Sequence, residues 1–404
     1  MIDHQVRKRI LLKGKPEPSH VPWWGEPNFG AWYTEAEINA VVNSIRESMD
    51  WSVGFGPNAK VIEDFENAFA EYCGVKYSIA IANCGVGLDV AMMCLDLEPG
   101  DEVICPAVNY KASQLAIIGQ GGKVVFCDVD PRTMNIDPKD VEKRITLRTR
   151  AILPVHMNGL AAPLDELLDI AERYPHPIHG PLKVIGDAAR SCGAEYKGTK
   201  VGSKGWLTVF SFNGQKLMTT LGEGGAITTN DPLLVERIRD IRRFGGEQGW
   251  GSNYKMTKVQ AAVGLVQLSR LDEMNQRRRE AAYSRNKLLE DVPEIILPNE
   301  PPDYKHLYYV YAILVHPDWA GNKRNRILSI MKEKFGIVCS ITNEPTYLRW
   351  PYIEAKCGNP KLKVSEDIGQ RLLCPPLHPL LTEEQELYIC SSLLETIDLV
   401  KKEA

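Results

Sequence analysis

The sequence predicts an α/β fold, a large domain with a mostly parallel mixed sheet flanked by helices plus a smaller C-terminal α+β domain. Three observations carry this. From about residue 61, short apolar runs alternate with segments of helical spacing, the signature of a parallel sheet covered on both faces. No fixed-period repeat or low-complexity tract interrupts the alternation, which excludes a solenoid. The pattern stops at a proline-rich, acidic stretch, residues 293–302, and the composition changes beyond it. The 404 residues suit one large domain and one smaller. We divide them at 51–275 and 276–404, with residues 1–50 packing against the smaller domain.

Taken in order, residues 61–72 have helical spacing and residues 77–82 form a short apolar strand. Leu88, Ala91, Met92 and Leu95 then fall at i, i+3, i+4 and i+7, one face of a helix. Residues 101–106 read as a buried strand between Gly100 and Pro106, followed by a helix to residue 120 and a strand at 123–129. A strand at 151–156 precedes a helix with Leu164, Leu167, Leu168 and Ala171 on one face. Strands at 182–188, 207–212 and 226–229 lead to a helix at 233–243. Val259, Ala262, Val263 and Val266 open a long helix toward residue 289. A tyrosine-rich strand at 308–315 and helices near 325–335 and 382–400 complete the smaller domain.

Composition bounds the function. With 44% hydrophobic and 25% charged residues the chain is ordinary soluble globular material. A formal charge of −4 argues against a nucleic-acid or anionic-membrane partner. The basic run at 276–280 reads as a solvated helix face. Residues 1–22 lack the apolar core of a signal peptide, and no stretch approaches a membrane span. The ten cysteines include no C-x-x-C pair and read as reduced thiols, so a cytoplasmic location is expected. His176 and His179 are three apart, but prolines flank them and forbid the helix that normally aligns such ligands, so no metal is expected.

The chemistry gathers at strand ends. The apolar run 207–212 leads into a polar, glycine-bearing turn that carries Lys216. The run 182–185 leads to Asp187. A lysine that forms a Schiff base and a carboxylate that pairs with a pyridinium nitrogen are what a pyridoxal phosphate site requires. Ligands of such sheets sit beyond the carboxyl ends of the strands. The turn Asn83-Cys84-Gly85-Val86-Gly87 lies between a strand and a helix, so its amides are aimed to hold a phosphate. Tyr110, after the strand ending at Pro106, supplies a flat partner for a ring face. No G-x-G-x-x-G follows the first strand, which disfavours a nucleotide-binding oxidoreductase.

These residues, in this order, resemble the pyridoxal phosphate-dependent sugar aminotransferases of the DegT/StrS type. The resemblance rests on 100–104 (GDEVI), 187–189 (DAA), 210–212 (FSF) with Lys216, 222–225 (GEGG), 251–256 (GSNYKM) with 260–262 (QAA), and 375–379 (PPLHP). It spans roughly residue 51 to the C-terminus. It implies fold type I of the pyridoxal phosphate enzymes, a homodimer with shared active sites, and amino transfer from glutamate or glutamine to a keto sugar. It further implies Lys216 as Schiff-base lysine and proton shuttle, Asp187 as pyridinium partner, Ser211 as phosphate ligand, and Gly85 with Val86 as amide donors. Tyr110 corresponds to the stacking aromatic, and Asn253 would reach the neighbouring subunit's phosphate.

The chain departs from the family pattern at two places. Cys84-Gly85-Val86 stands where Ser-Gly-Thr is usual, so a hydroxyl contact to the phosphate is lost. Arg190 stands where glutamine or histidine usually meets the cofactor's phenolic oxygen. A guanidinium there would donate a hydrogen bond and stabilise the phenolate; alternatively it points away and pairs with an acid. The implied acceptor is a nucleotide-linked 3- or 4-keto-6-deoxy sugar, with a keto cyclitol as the alternative and a non-catalytic pyridoxal phosphate-binding regulator as the rival from another class. Substrate contacts are expected in the loops 245–251 and 343–350.

Overall fold

The computed structural model describes residues 30–53, 59–247, 249–342 and 344–403. The first 29 residues of the N-terminal segment, and residues 248 and 343 of the two expected substrate loops, lie outside the described residues.

Strands β1 (Tyr77–Ile81), β2 (Glu102–Pro106), β3 (Lys123–Cys127), β4 (Thr149–Ile152), β5 (Lys183–Asp187), β6 (Glu195–Tyr196), β7 (Thr199–Lys200), β8 (Leu207–Ser211) and β9 (Gly225–Thr229) form the first part of the fold. Seven of them make one sheet in the order β1-β9-β8-β5-β4-β2-β3. β9 runs antiparallel to both neighbours and the remaining pairs are parallel. The chain thus has the α/β fold and mostly parallel sheet that the sequence predicts. The strands are buried on both faces, as expected where helices cover them.

β8 rests on the helix Lys60–Cys73 through aromatic rings. Phe69 meets Phe210 edge-on at 5.0 Å and Phe212 at 5.2 Å, and Phe65 meets Phe212 at 5.7 Å. On the other face the helix Cys84–Cys94 packs close to β1 and β8 because Gly87 has no side chain. A methyl group there would lie 2.6 Å from Val209 Cγ1.

The strand expected at 151–156 stops at Ile152 because Pro154 has no N–H to continue the ladder. The chain still runs beside β5, with Asp187 N–H donating to Pro154 O at 2.9 Å and His156 N–H to Asp187 O at 2.9 Å. The tyrosine-rich strand is also shorter than expected. Strands β10 (Ile295–Ile296), β11 (Tyr304–Lys305), β12 (Ile313–Val315) and β13 (Leu372–Leu373) follow in order. Before β12, the Leu307 and Tyr309 amides bond Gly159 O and Asn158 O at 2.9 and 2.8 Å, and Tyr308 is left-handed at φ 49°. These bonds hold 307–309 against the turn Met157–Gly159 instead of in a ladder.

Buried apolar side chains form two cores, one around the seven-stranded sheet and one drawing on residues from Ala282 to Val400. Tyr347, Ile353, Leu362 and Ile368 belong to the first. Chain beyond residue 276 therefore completes the larger core, and the division at 275/276 remains a proposal. Residues 30–47 contact the long helix Lys258–Leu289: Gln267 Nε2 donates to Trp32 O and Glu37 Oε1 at 2.9 and 2.8 Å. The basic run on that helix is only partly solvated. Arg278 is buried and donates to Leu377 O at 3.0 Å and Gly30 O at 3.2 Å, while Arg279 pairs with Glu300 at 2.8 Å.

Gly87→Ala should destabilise the protein by about 1–3 kcal/mol, the usual cost of overpacking a filled core. Thermal unfolding of the variant checks this through a lowered midpoint.

Candidate active site

The expected residues converge on the carboxyl edge of the sheet. Gly85 and Val86 follow β1, Tyr110 follows β2, Asp187 ends β5, Ser211 ends β8, and Lys216 lies in the turn after β8. Backbone hydrogen bonds fix that turn. Phe212 N–H donates to Gly224 O at 2.9 Å, Thr220 N–H to Phe212 O at 3.0 Å, and Gly214 N–H to Gly222 O at 3.0 Å. The Lys216 amide donates to Asn213 O at 2.9 Å, and its carbonyl accepts the Ala31 amide at 3.1 Å. The Lys216 side chain is half-buried, with Nζ 5.1 Å from the centre of the Tyr309 ring.

Arg190, also buried, lies over the same ring at 5.9 Å, with Nη1 3.3 Å from Met157 Sδ. Two cationic side chains, Arg190 and Lys216, thus approach one aromatic ring. Tyr309 was not singled out by the sequence. Its run of tyrosines read as strand, and only the bonds to Asn158 and Gly159 bring it here.

Asp187 is buried and held by two donors. Ser113 Oγ donates to Oδ2 at 2.8 Å and the Ala189 amide to Oδ1 at 3.1 Å. Cys84, at the start of its helix, registers both key charges. Burial pushes its thiol well above the usual range; the Asp187 carboxylate adds to that, and the Lys216 ammonium opposes it.

In that turn Asn83 Oδ1 caps the helix by accepting the Val86 amide at 2.9 Å. Of the two expected phosphate donors, Val86 thus already has an acceptor. Ser211 is buried and its Oγ accepts the Asn213 amide at 3.4 Å. Tyr110 is 55% exposed, leaving a ring face open, and meets Trp350 edge-on at 5.9 Å. The Thr346 amide donates to Ala107 O at 2.9 Å, which seats the described part of the 343–350 loop beside Tyr110. Asn253 is exposed, bridged to Arg243 and remote in sequence from the rest. A lysine amine, an ionisable acid, a hydroxyl and an open aromatic face at one sheet edge fit pyridoxal phosphate.

Beneath Asp187 lies His156, fully buried, with Nδ1 accepting the Ala162 amide at 3.0 Å. Gly186 makes room for it, since a Cβ there would sit 2.9 Å from His156 Nε2. Burial lowers its pKa to about 3, so the ring is neutral. His176 accepts the Ile178 and His179 amides on Nδ1, at 3.2 and 3.3 Å. Among the described residues no group of three or more His, Cys, Asp or Glu side chains gathers as a metal site. All ten cysteines are free thiols.

Fold and site together define an aminotransferase: the pattern of the DegT/DnrJ/EryC1/StrS aminotransferase family matches residues 33–394. The chain belongs to that family. It is 37% identical to the GDP-perosamine synthase of Caulobacter vibrioides over 84% of this chain and 90% of that protein. It is 34% identical to the dTDP-3-amino-3,6-dideoxy-alpha-D-galactopyranose transaminase of Aneurinibacillus thermoaerophilus, over 87% and 93%. The crystal structure of S. venezuelae DesV superposes with a TM-score of 0.80 at 31% identity, covering 89% of this chain and 95% of that one. No helix among the described residues is long and apolar enough to cross a membrane.

The buried neutral imidazoles make stability pH-dependent. Burial lowers His156 to about 3 and His306 and His378 to about 4 each. Below the unfolded value near 6.5 the unfolded chain binds a proton at each and the native protein does not. Each ring therefore removes roughly 1.4 kcal/mol per pH unit as pH falls from about 6.5 toward its folded value. Urea midpoints should drop steeply from pH 6.5 to 4.5, and His306→Gln should make the slope shallower.

Proposed function

We propose that this aminotransferase moves the amino group of L-glutamate, or glutamine, to the ketone of a nucleotide-linked 3- or 4-keto-6-deoxyhexose. The observation that carries the reading is Asp187 at the end of β5 and Lys216 in the turn after β8, with Tyr110 and Ser211 on the same carboxyl edge of the sheet. The relatives named for GDP- and dTDP-linked amino sugars support the choice of a nucleotide-linked acceptor.

The cofactor is pyridoxal 5′-phosphate, which when bound takes up the donor's amino group and serves as the electron sink. Asp187 holds the pyridine nitrogen protonated by pairing with it. Lys216 Nζ would hold the cofactor's aldehyde, and the same amine, once free, would serve as the base and acid that moves the proton at the donor's Cα and, in reverse, at the acceptor's carbon. Ser211 Oγ and the Gly85 amide meet the phosphate at the helix N-terminus, where the dipole favours an anion. Tyr110 covers the ring face. Arg190 supplies a fixed positive charge at the phenolic edge, a reading supported by the Tyr309 ring that both it and Lys216 approach.

The enzyme works in the cytoplasm as a homodimer, with Asn253 reaching the second site. The exposed side chains Trp51, Phe244 and Trp250 support the dimer, as apolar groups that a second subunit would take out of water.

Lys216→Ala should abolish transamination between glutamate and a panel of keto sugars and keto cyclitols, and borohydride should no longer fix the cofactor to the chain. Normal turnover by that variant ends the proposal. Arg190→Gln should move the pH midpoint of the loaded enzyme's visible band upward, because the fixed charge that favours the deprotonated form is lost. Absorbance titration of both proteins decides it.

A further inference from the structure

Three buried side chains form a hydrogen-bonded line that ends on Asp187. The Tyr110 amide donates to Asn109 Oδ1 at 2.6 Å, Asn109 Nδ2 donates to Ser113 Oγ at 2.9 Å, and Ser113 Oγ donates to Asp187 Oδ2 at 2.8 Å. Asn109 is 2% exposed, Ser113 0% and Asp187 4%, so water does not compete for these groups. We propose that Ser113, oriented by Asn109, is a positioning residue for Asp187, holding its carboxylate aimed at the cofactor's ring nitrogen.

The direction of every bond is determined. With Asn109 Oδ1 engaged by a backbone N–H, the amide can face Ser113 only through its NH₂ group. That NH₂ occupies an acceptor site on the hydroxyl, whose single proton then points at Asp187. An ionised carboxylate has about four acceptor sites. Ser113 and Ala189 take one on each oxygen, leaving room for the pyridine N–H. Held in this orientation, the carboxylate presents a free acceptor site to the ring N–H, which supports the protonated ring that serves as an electron sink. The same line begins at the Tyr110 backbone. It therefore ties the residue proposed to cover the ring face to the acid proposed to meet its edge, and one short helix (Ala112–Gly119 with its preceding residues) sets both.

This inference rests on the role proposed above for Asp187, and the test separates the two. Holoenzyme is prepared with ¹⁵N-labelled pyridoxal phosphate, and the ring-nitrogen chemical shift is read together with kcat and KM. In Ser113→Ala the shift should move toward that of an unprotonated pyridine. In the same variant kcat should fall about tenfold, the lower end for one hydrogen bond to a charged group, with the donor's KM essentially unmoved. Ser113→Thr, which keeps the hydroxyl, should bring both back toward wild type. Asn109→Ala, which leaves the hydroxyl unaimed, should give a smaller change of the same sign. A ring-nitrogen shift at the wild-type value in both Ser113→Ala and Asn109→Ala overturns the inference while leaving the role of Asp187 intact. A wild-type shift already that of a neutral pyridine overturns the role of Asp187 and this inference with it.

Discussion

A carboxylate buried to 4% exposure is the constraint around which this molecule is arranged. Taking a charged group out of water costs several kcal/mol unless donors or a counter-charge replace the solvent. Asp187 finds two donors, one from its own turn and one from the helix after β2. The parallel pairing of β5 with β8 and β4 brings it to the same edge as Ser211, and the β8 turn brings Lys216 there. The sheet order thus does chemical work: it places an acid, a hydroxyl and an amine from distant parts of the chain around one space.

Rigidity at Lys216 comes from a different source. The turn from Phe212 to Gly224 closes on itself through backbone bonds, and its base is a wedge of phenylalanine rings on the helix Lys60–Cys73. The role proposed for Lys216 requires its amine to stay within reach of two carbons in turn. A loop braced at both ends limits the motion to the lysine's own four-carbon stem.

Much of this was legible in the sequence because it is local. Apolar runs, helical spacing and the glycine turn mark the strands and helices, and the strand-end rule then puts Asp187 and Lys216 at the business edge. What was not legible depends on contacts between distant segments. Tyr309 enters the site through bonds to Asn158 and Gly159, far away in sequence. Ser113 looks like one more helical serine until Asp187 lies against it. Arg278 sits in a basic run that looks solvated, yet it is buried because the 375–379 segment folds over it. The strand expected at 308–315 begins only at Ile313 for the same reason, since tertiary bonds hold the chain just before it.

The opening of the described chain reaches the site by an unexpected route. Gly30 receives Arg278, Ala31 grips the Lys216 carbonyl, and Trp32 receives Gln267, whose Oε1 in turn accepts the Thr219 amide. Three consecutive residues therefore work as a clasp, fastening the loop that carries Lys216 to the long helix. Trimming the polypeptide past that clasp would unlatch this loop from behind while leaving Asp187, Ser113 and Ser211 untouched.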